Sequence, residues 1–191
     1  MKLSAFRRKN IFCIEGNWNN NLKEKTSIRS ALDFLEHNSN IKYIHKNCSA
    51  IEQLESLLKD AVLKKYNRYG VIYLAFHGLP GELLVGKRQR ITLEQIAAIL
   101  ENKAQDRIIH FGSCSVLNVP RSRVNRFLKE TGALAVSGYT KDVDFIPSTF
   151  LDILYFQFCE QYKKIPLIHR DVQLYYRKLA NELGFKMYYE K

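Results

Sequence analysis

Two apolar runs that stop abruptly constrain this chain more than any other feature: Ile72-Tyr-Leu-Ala-Phe-His77-Gly78 and Ile108-Ile-His-Phe-Gly-Ser-Cys-Ser115. Successive apolar residues over a stretch of about five to eight suit a strand covered on both faces of a parallel sheet. Between the runs, Thr92-Leu-Glu-Gln95 matches a capping box, and Ile96, Ala97, Ile99 and Leu100 continue it on one helical face. Strand, helix, strand reads as one βαβ crossover, and in such sheets the carboxyl ends of the strands form the site-bearing edge. The first run ends on His77-Gly78 and the second on Gly112-Ser113-Cys114-Ser115. An imidazole and a thiol are therefore expected on one edge, on neighbouring elements.

The rest of the chain repeats this alternation. Ile11 to Ile14 reads as a first strand closed by Glu15-Gly16-Asn17, and the Asn-rich segment Asn17 to Asn21 as a loop. Ile28, Ala31, Leu32 and Leu35 mark a helix ending near His37-Asn38, and Ile41, Tyr43 and His45 a short strand with one face partly exposed. Ser49-Ala-Ile-Glu52 is a further capping box, opening a helix expected to end near Gly70. Leu79-Pro80-Gly81 is a turn, followed by a hairpin of Glu82 to Val85 and Arg90-Ile91 around Gly86-Lys87. Pro120 starts a helix that Gly132 closes, Ala133 to Val136 is a buried strand, and Pro147 to Tyr162 is a helix. A last helix runs from Ile168 towards Gly184, and Phe185 to Tyr189 is a final edge strand, an invitation to pair with a second copy. The expected fold is α/β: a three-layer α-β-α sandwich around a mostly parallel sheet, one domain over residues 1–191.

The bulk numbers narrow the function classes. No run approaches the roughly 18 apolar residues of a membrane span, and Met1 to Asn10 has no apolar core of a secretory signal. Cys13, Cys48, Cys114 and Cys159 lie far apart with no metal-ligand or disulfide spacing, so neither metal nor cofactor is expected and a cytoplasmic setting fits. A net charge of +11 raises a basic nucleic-acid-binding domain as an alternative. Against it, Arg7-Arg8-Lys9, Lys87-Arg88-Gln89-Arg90 and Arg121-Ser122-Arg123 are short separated clusters, so nucleic acid is not the expected partner.

A thiol becomes a strong nucleophile when a nearby imidazole takes its proton. Small residues around Cys114 would let a substrate backbone approach, and the backbone N–H groups of Gly78 and Cys114 would suit an oxyanion. The plain alternative is that Cys114 is a small apolar residue and His77 a structural one. Cys13, Cys48 and Cys159 sit inside elements, and His110 lies within the Cys114 strand facing a side of the sheet.

Taken in order, His77-Gly78, Leu83-Leu-Val-Gly86, Ile91 to Ala97 and Phe111-Gly-Ser-Cys114-Ser115 resemble the caspase-like cysteine peptidases, nearest to the CHAT type. Gly132 to Gly138, Asp142-Val-Asp144 and Phe150 to Phe158 are similar to that variant's next strand, acidic loop and helix. The Gln-Ala-Cys-X-Gly pattern of caspases is replaced here by serines on both sides of Cys114. The resemblance implies a cysteine endopeptidase with Cys114 as nucleophile, His77 as acid–base, and the Gly78 and Cys114 amides as oxyanion hole. It implies a protein substrate, a regulatory partner protein or a homodimer, and a bacterial regulatory or defence pathway. The alternative within the same fold is an inactive module that binds a partner protein. Asp142 and Asp144 follow the strand beside Cys114, and relatives of the gingipain, clostripain and separase type are similar in placing an acid there. The expected preference is thus a basic residue before the cleaved bond.

Overall fold

The computed structural model describes residues 9–19, 21, 23, 25–86 and 89–190. Arg7, Arg8, Lys87 and Arg88 of the basic clusters, and Asn20 of the Asn-rich loop, lie outside these residues. The elements run β1 (Ile11–Glu15), α1 (Arg29–Asn38), β2 (Tyr43–Asn47), α2 (Ile51–Ala61), a 3₁₀ turn (Lys64–Tyr66), β3 (Val71–Ala75), β4 (His77–Leu79), β5 (Glu82–Val85), β6 (Gln89–Thr92), α3 (Leu93–Leu100), β7 (Ile108–Phe111), α4 (Arg121–Thr131), β8 (Ala135–Tyr139), α5 (Phe145–Gln161), α6 (Ile165–Tyr175), α7 (Arg177–Glu182) and β9 (Phe185–Tyr189).

The main sheet has six strands in the order β2-β1-β3-β7-β8-β9, all parallel except β9, which pairs antiparallel with β8. The continuous apolar runs form strands because both faces are covered, and successive residues supply two separate cores. Ile11, Cys13, Val71, Tyr73 and Ala75 pack with α1, α5 and α6 residues such as Leu32, Leu151 and Ile168. Phe12, Ile14, Ile72, Leu74 and Phe76 pack with α2, α3 and α4 residues such as Leu54, Ile96 and Val124. The layers are helix, sheet, helix, as the alternation of elements predicts.

Register brings the strand ends level. Glu15 pairs with Asn47 and Ala75, Leu74 with Phe111, and Phe111 with Gly138. The chain passes from β1 out to β2 and then back to β3 on the other side of β1. That reversal is a topological switch point, and ligand sites in such sheets open beside it. The loops after Glu15, Ala75, Phe111 and Tyr139 all emerge on this edge.

Local details depart from the sequence expectations. α2 starts at Ile51 with Ala50 at its cap and no side-chain cap bond, so the Ser49–Glu52 box is not made. Instead Gln53 Oε1 accepts from the Ser49 N–H at 3.1 Å and its Nε2 donates to Asn47 O at 2.9 Å. The helix ends at Ala61, with the 3₁₀ turn filling the stretch towards Gly70. α5 begins at Phe145, two residues before Pro147, and the last helix is divided at Tyr176 into α6 and α7. The Thr92–Gln95 box is complete, with both reciprocal bonds present.

β4, β5 and β6 form a small antiparallel sheet that carries His77 and Gly78. Its turn is clamped from α4. Arg123 binds Glu94 through two bonds of 2.7 Å, and a Cβ built on Gly81 would lie 2.2 Å from Arg123 Nη1. The φ of +78° at Gly81 favours glycine there. The bonds from Arg123 hold the Glu94 carboxyl down at about 2. No helix among the described residues is long and apolar enough to cross a membrane.

Candidate active site

Cys114 follows β7 in a tight turn that is held on every side. Ser113, buried just before it, donates from Oγ to Leu74 O and accepts from the Phe76 N–H, both at 3.2 Å, tying the end of β7 to the end of β3. Ser115, just after it, has a φ of +46° and donates its N–H to Lys141 O at 2.8 Å. A serine in the left-handed region costs energy that the surrounding bonds must offset, and such residues gather at sites where a side chain is being aimed.

Gly78 brings the histidine segment against this turn. A Cβ on Gly78 would lie 2.4 Å from Cys114 O and 2.5 Å from Val116 Cγ2, so only glycine permits the approach. Leu79 and Glu82 close a two-residue turn and are a hydrogen-bonded pair. By the alternation of an antiparallel ladder, Gly78 is then a non-bonded position whose N–H points away from β5. The Cys114 N–H meets no acceptor among the described residues. Neither N–H is thus engaged by a described residue.

His77 is exposed, and its Nε2 lies 2.8 Å from the carbonyl oxygen of Trp18. A carbonyl only accepts, so Nε2 is the donor in this contact, which leaves Nδ1 as the nitrogen that can serve as a base. The rings of Trp18 and His77 meet edge to face at 5.3 Å, and Trp18 meets Phe145 likewise at 5.1 Å. Cys114 Sγ lies 3.5 Å from Val143 O and 3.4 Å from Val143 N, whose N–H suits a thiolate. The imidazole and the sulfur are not hydrogen-bonded to each other; each rests on a backbone group. Catalytic hydrogen bonds are often long until substrate arrives.

The other cysteines are unlike Cys114. All three are buried while Cys114 is partly exposed. Burial pushes the thiols of Cys13 and Cys48 up and that of Cys159 to about 12. Asp142 and Asp144 flank Val143, the residue in contact with the sulfur, and both are exposed, with neither carboxylate engaged by a described residue. Lys141 turns away to Asn181 O and Glu182 O at 3.0 and 3.1 Å. His110 is fully buried, with Asp152 Oδ1 2.8 Å from its Nε2 and Ser137 Oγ 2.9 Å from its Nδ1. Tyr73 and Tyr139 also donate to Asp152, so this network binds α5 to three strands beneath the site.

Sequence reasoning missed Glu15 and Trp18. Trp18, the one tryptophan of the chain, lies in the Asn-rich segment whose pattern predicts only a loop. Glu15 was read as the close of a strand, although a carboxylate ending an apolar run has to find donors. Both line a polar pocket of about 330 Å³ with Ser27, Arg29, His45 and Asn47.

Residues 8–189 match the model of a family of unknown function, DUF6642. The chain belongs to that family. Among curated proteins, none matches it. The family model spans both strand ends of the site, so His77, Gly78 and Cys114 all lie within the matched region. No cluster of three or more metal-ligating side chains occurs among the described residues.

Proposed function

We propose that the protein is a caspase-like cysteine endopeptidase acting on a protein substrate in the cytoplasm. The observation that carries this reading is the approach of Gly78 to Cys114 O, which sets an imidazole-bearing segment against a partly exposed thiol. In the proposed reaction His77 Nδ1 takes the Cys114 proton and the thiolate attacks the scissile carbonyl carbon. The oxygen gains negative charge and is met by the N–H groups of Gly78 and Cys114. The imidazolium then protonates the leaving amine as the C–N bond breaks. Water, deprotonated by His77, hydrolyses the thioester and restores the thiol. A basic side chain before the cleaved bond would sit against Asp142 and Asp144.

The test is proteolysis of a mixed peptide library by the wild type, Cys114→Ala and His77→Ala. We expect cleavage only by the wild type, with both variants folded by circular dichroism. Cleavage by Cys114→Ala at the wild-type rate would end the reading. The alternative, a non-catalytic module binding a partner protein, is favoured by one observation: the sulfur and the imidazole rest on separate backbone groups.

A further inference from the structure

Glu15 ends β1 as a buried carboxylate, and every one of its acceptor directions is used. Its Oε1 accepts from Trp18 Nε1–H at 2.5 Å and from the Ile28 N–H at 2.7 Å. Its Oε2 accepts from Ser27 Oγ–H at 2.7 Å and lies 2.5 Å from His45 Nε2. These donors come from the loop after β1, the start of α1, and β2. A group that only accepts is the right chemistry to gather so many donors at one point.

The Trp18 bond has an effect beyond the fold. The indole is fixed at its N–H by Glu15 and at its edges by His77 and Phe145. Its own backbone oxygen is the acceptor that fixes the protonated nitrogen of His77. The carboxylate holds the indole, the indole holds its carbonyl in place, and the carbonyl sets which nitrogen of the imidazole is free.

We infer that Glu15 is a positioning residue for His77, acting through Trp18; its consequence for catalysis rests on the proteolytic reading above. Burial alone would raise the Glu15 carboxyl, but the bonds from His45, Ser27, the Ile28 N–H and Trp18 outweigh it and keep the group below its ordinary value, consistent with a charged acceptor.

The experiment uses Glu15→Gln and Trp18→Phe in the full chain. Glutamine keeps the shape but exchanges one acceptor oxygen for a donor. Phenylalanine keeps the backbone carbonyl and an aromatic ring while removing the N–H together with part of the indole, so it covers the case in which Glu15→Gln fails to fold. Long-range nitrogen–proton NMR reads the His77 tautomer, its signal identified by its loss in His77→Gln. We expect a single Nε2–H form in the wild type and a mixture in both variants. Alkylation of Cys114 by iodoacetamide at neutral pH should fall about tenfold with the loss of an oriented base. Unchanged His77 signals in Trp18→Phe would overturn the inference, because a purely structural role would shift the melting temperature and leave the tautomer alone. If His77→Ala alkylates as fast as the wild type, the dyad fails, and the tautomer still decides whether Glu15 positions the ring.

Discussion

Of the four cysteines, Cys114 is the one whose thiol is not buried, and that difference sets the first expected outcome. A thiolate is the reactive form, and burial holds the thiols of Cys13, Cys48 and Cys159 in the neutral one. Limited alkylation near pH 7.5 (about one unit below an ordinary thiol) should label Cys114 alone, as read by peptide mass mapping. Equal labelling of all four would show that the fold opens readily. Asp142 and Asp144 give the second. No described residue engages their carboxylates, so a fluorogenic panel varied only before the bond should favour Arg and Lys, and Asp144→Asn should remove most of that preference. Arg and Lys substrates cleaved no better than Leu ones would exclude this pocket.

At the scale of elements, the β4–β5 hairpin delivers His77, and its position rests on contacts that tolerate no added atom. In Gly78→Ala the new methyl would enter the space of Cys114 O and Val116 Cγ2, so the hairpin must lift away from the β7 turn. We expect a destabilisation of about 1–3 kcal/mol, as for overpacking, together with loss of proteolysis. Wild-type activity in Gly78→Ala would show that the close approach is dispensable. β9 is the antiparallel edge of the sheet, next to β8, and an edge strand is a template for pairing. Dimerisation through it should appear in sedimentation at micromolar concentration and disappear in Tyr189→Pro, whose N–H faces away from β8 by the alternation of the ladder; a monomer throughout would exclude it.

Much of this level was legible in advance. β1, β3, β7 and β8 were readable because a doubly covered strand leaves an unbroken apolar run. The crossover predicts His77 at the end of its strand; β3 instead ends at Ala75, and His77 belongs to the separate antiparallel sheet that Gly78 sets against the β7 turn. The Ser49 cap was misread because Gln53, a residue further into the helix, reaches back to the same backbone. The break at Tyr176 has no glycine or proline to announce it. Glu15 and Trp18 stayed hidden because their meaning depends on how the loop after β1 folds back, which no local pattern encodes.

For the whole molecule, the Glu15 hub predicts an acid limit. Its carboxyl is held below the ordinary 4.5 in the folded state, so its contribution is fully present above that pH and is lost as pH falls through the folded value. The melting temperature should be flat from pH 7 to 5 and decline below 4.5, with a shallower decline in Glu15→Gln. The same slope in both would mean that other carboxylates carry the limit. Glu94 contributes less, since its pair with Arg123 is largely exposed and screened by salt.

The network at Asp152 has a different kind of consequence. One carboxylate on α5 takes bonds from β3, β7 and β8, and the first turn of α5 presents Phe145 to Trp18 while Val143, just before it, touches the sulfur. Phe145 is thus tied to the sheet through the helix that carries it. Trp18 meets this helix from the loop after β1, held by the Glu15 carboxylate and by the rings of His77 and Phe145. The Trp18 ring and the backbone at Val143 thus share one anchor, and a substitution that shifts α5 would displace both together.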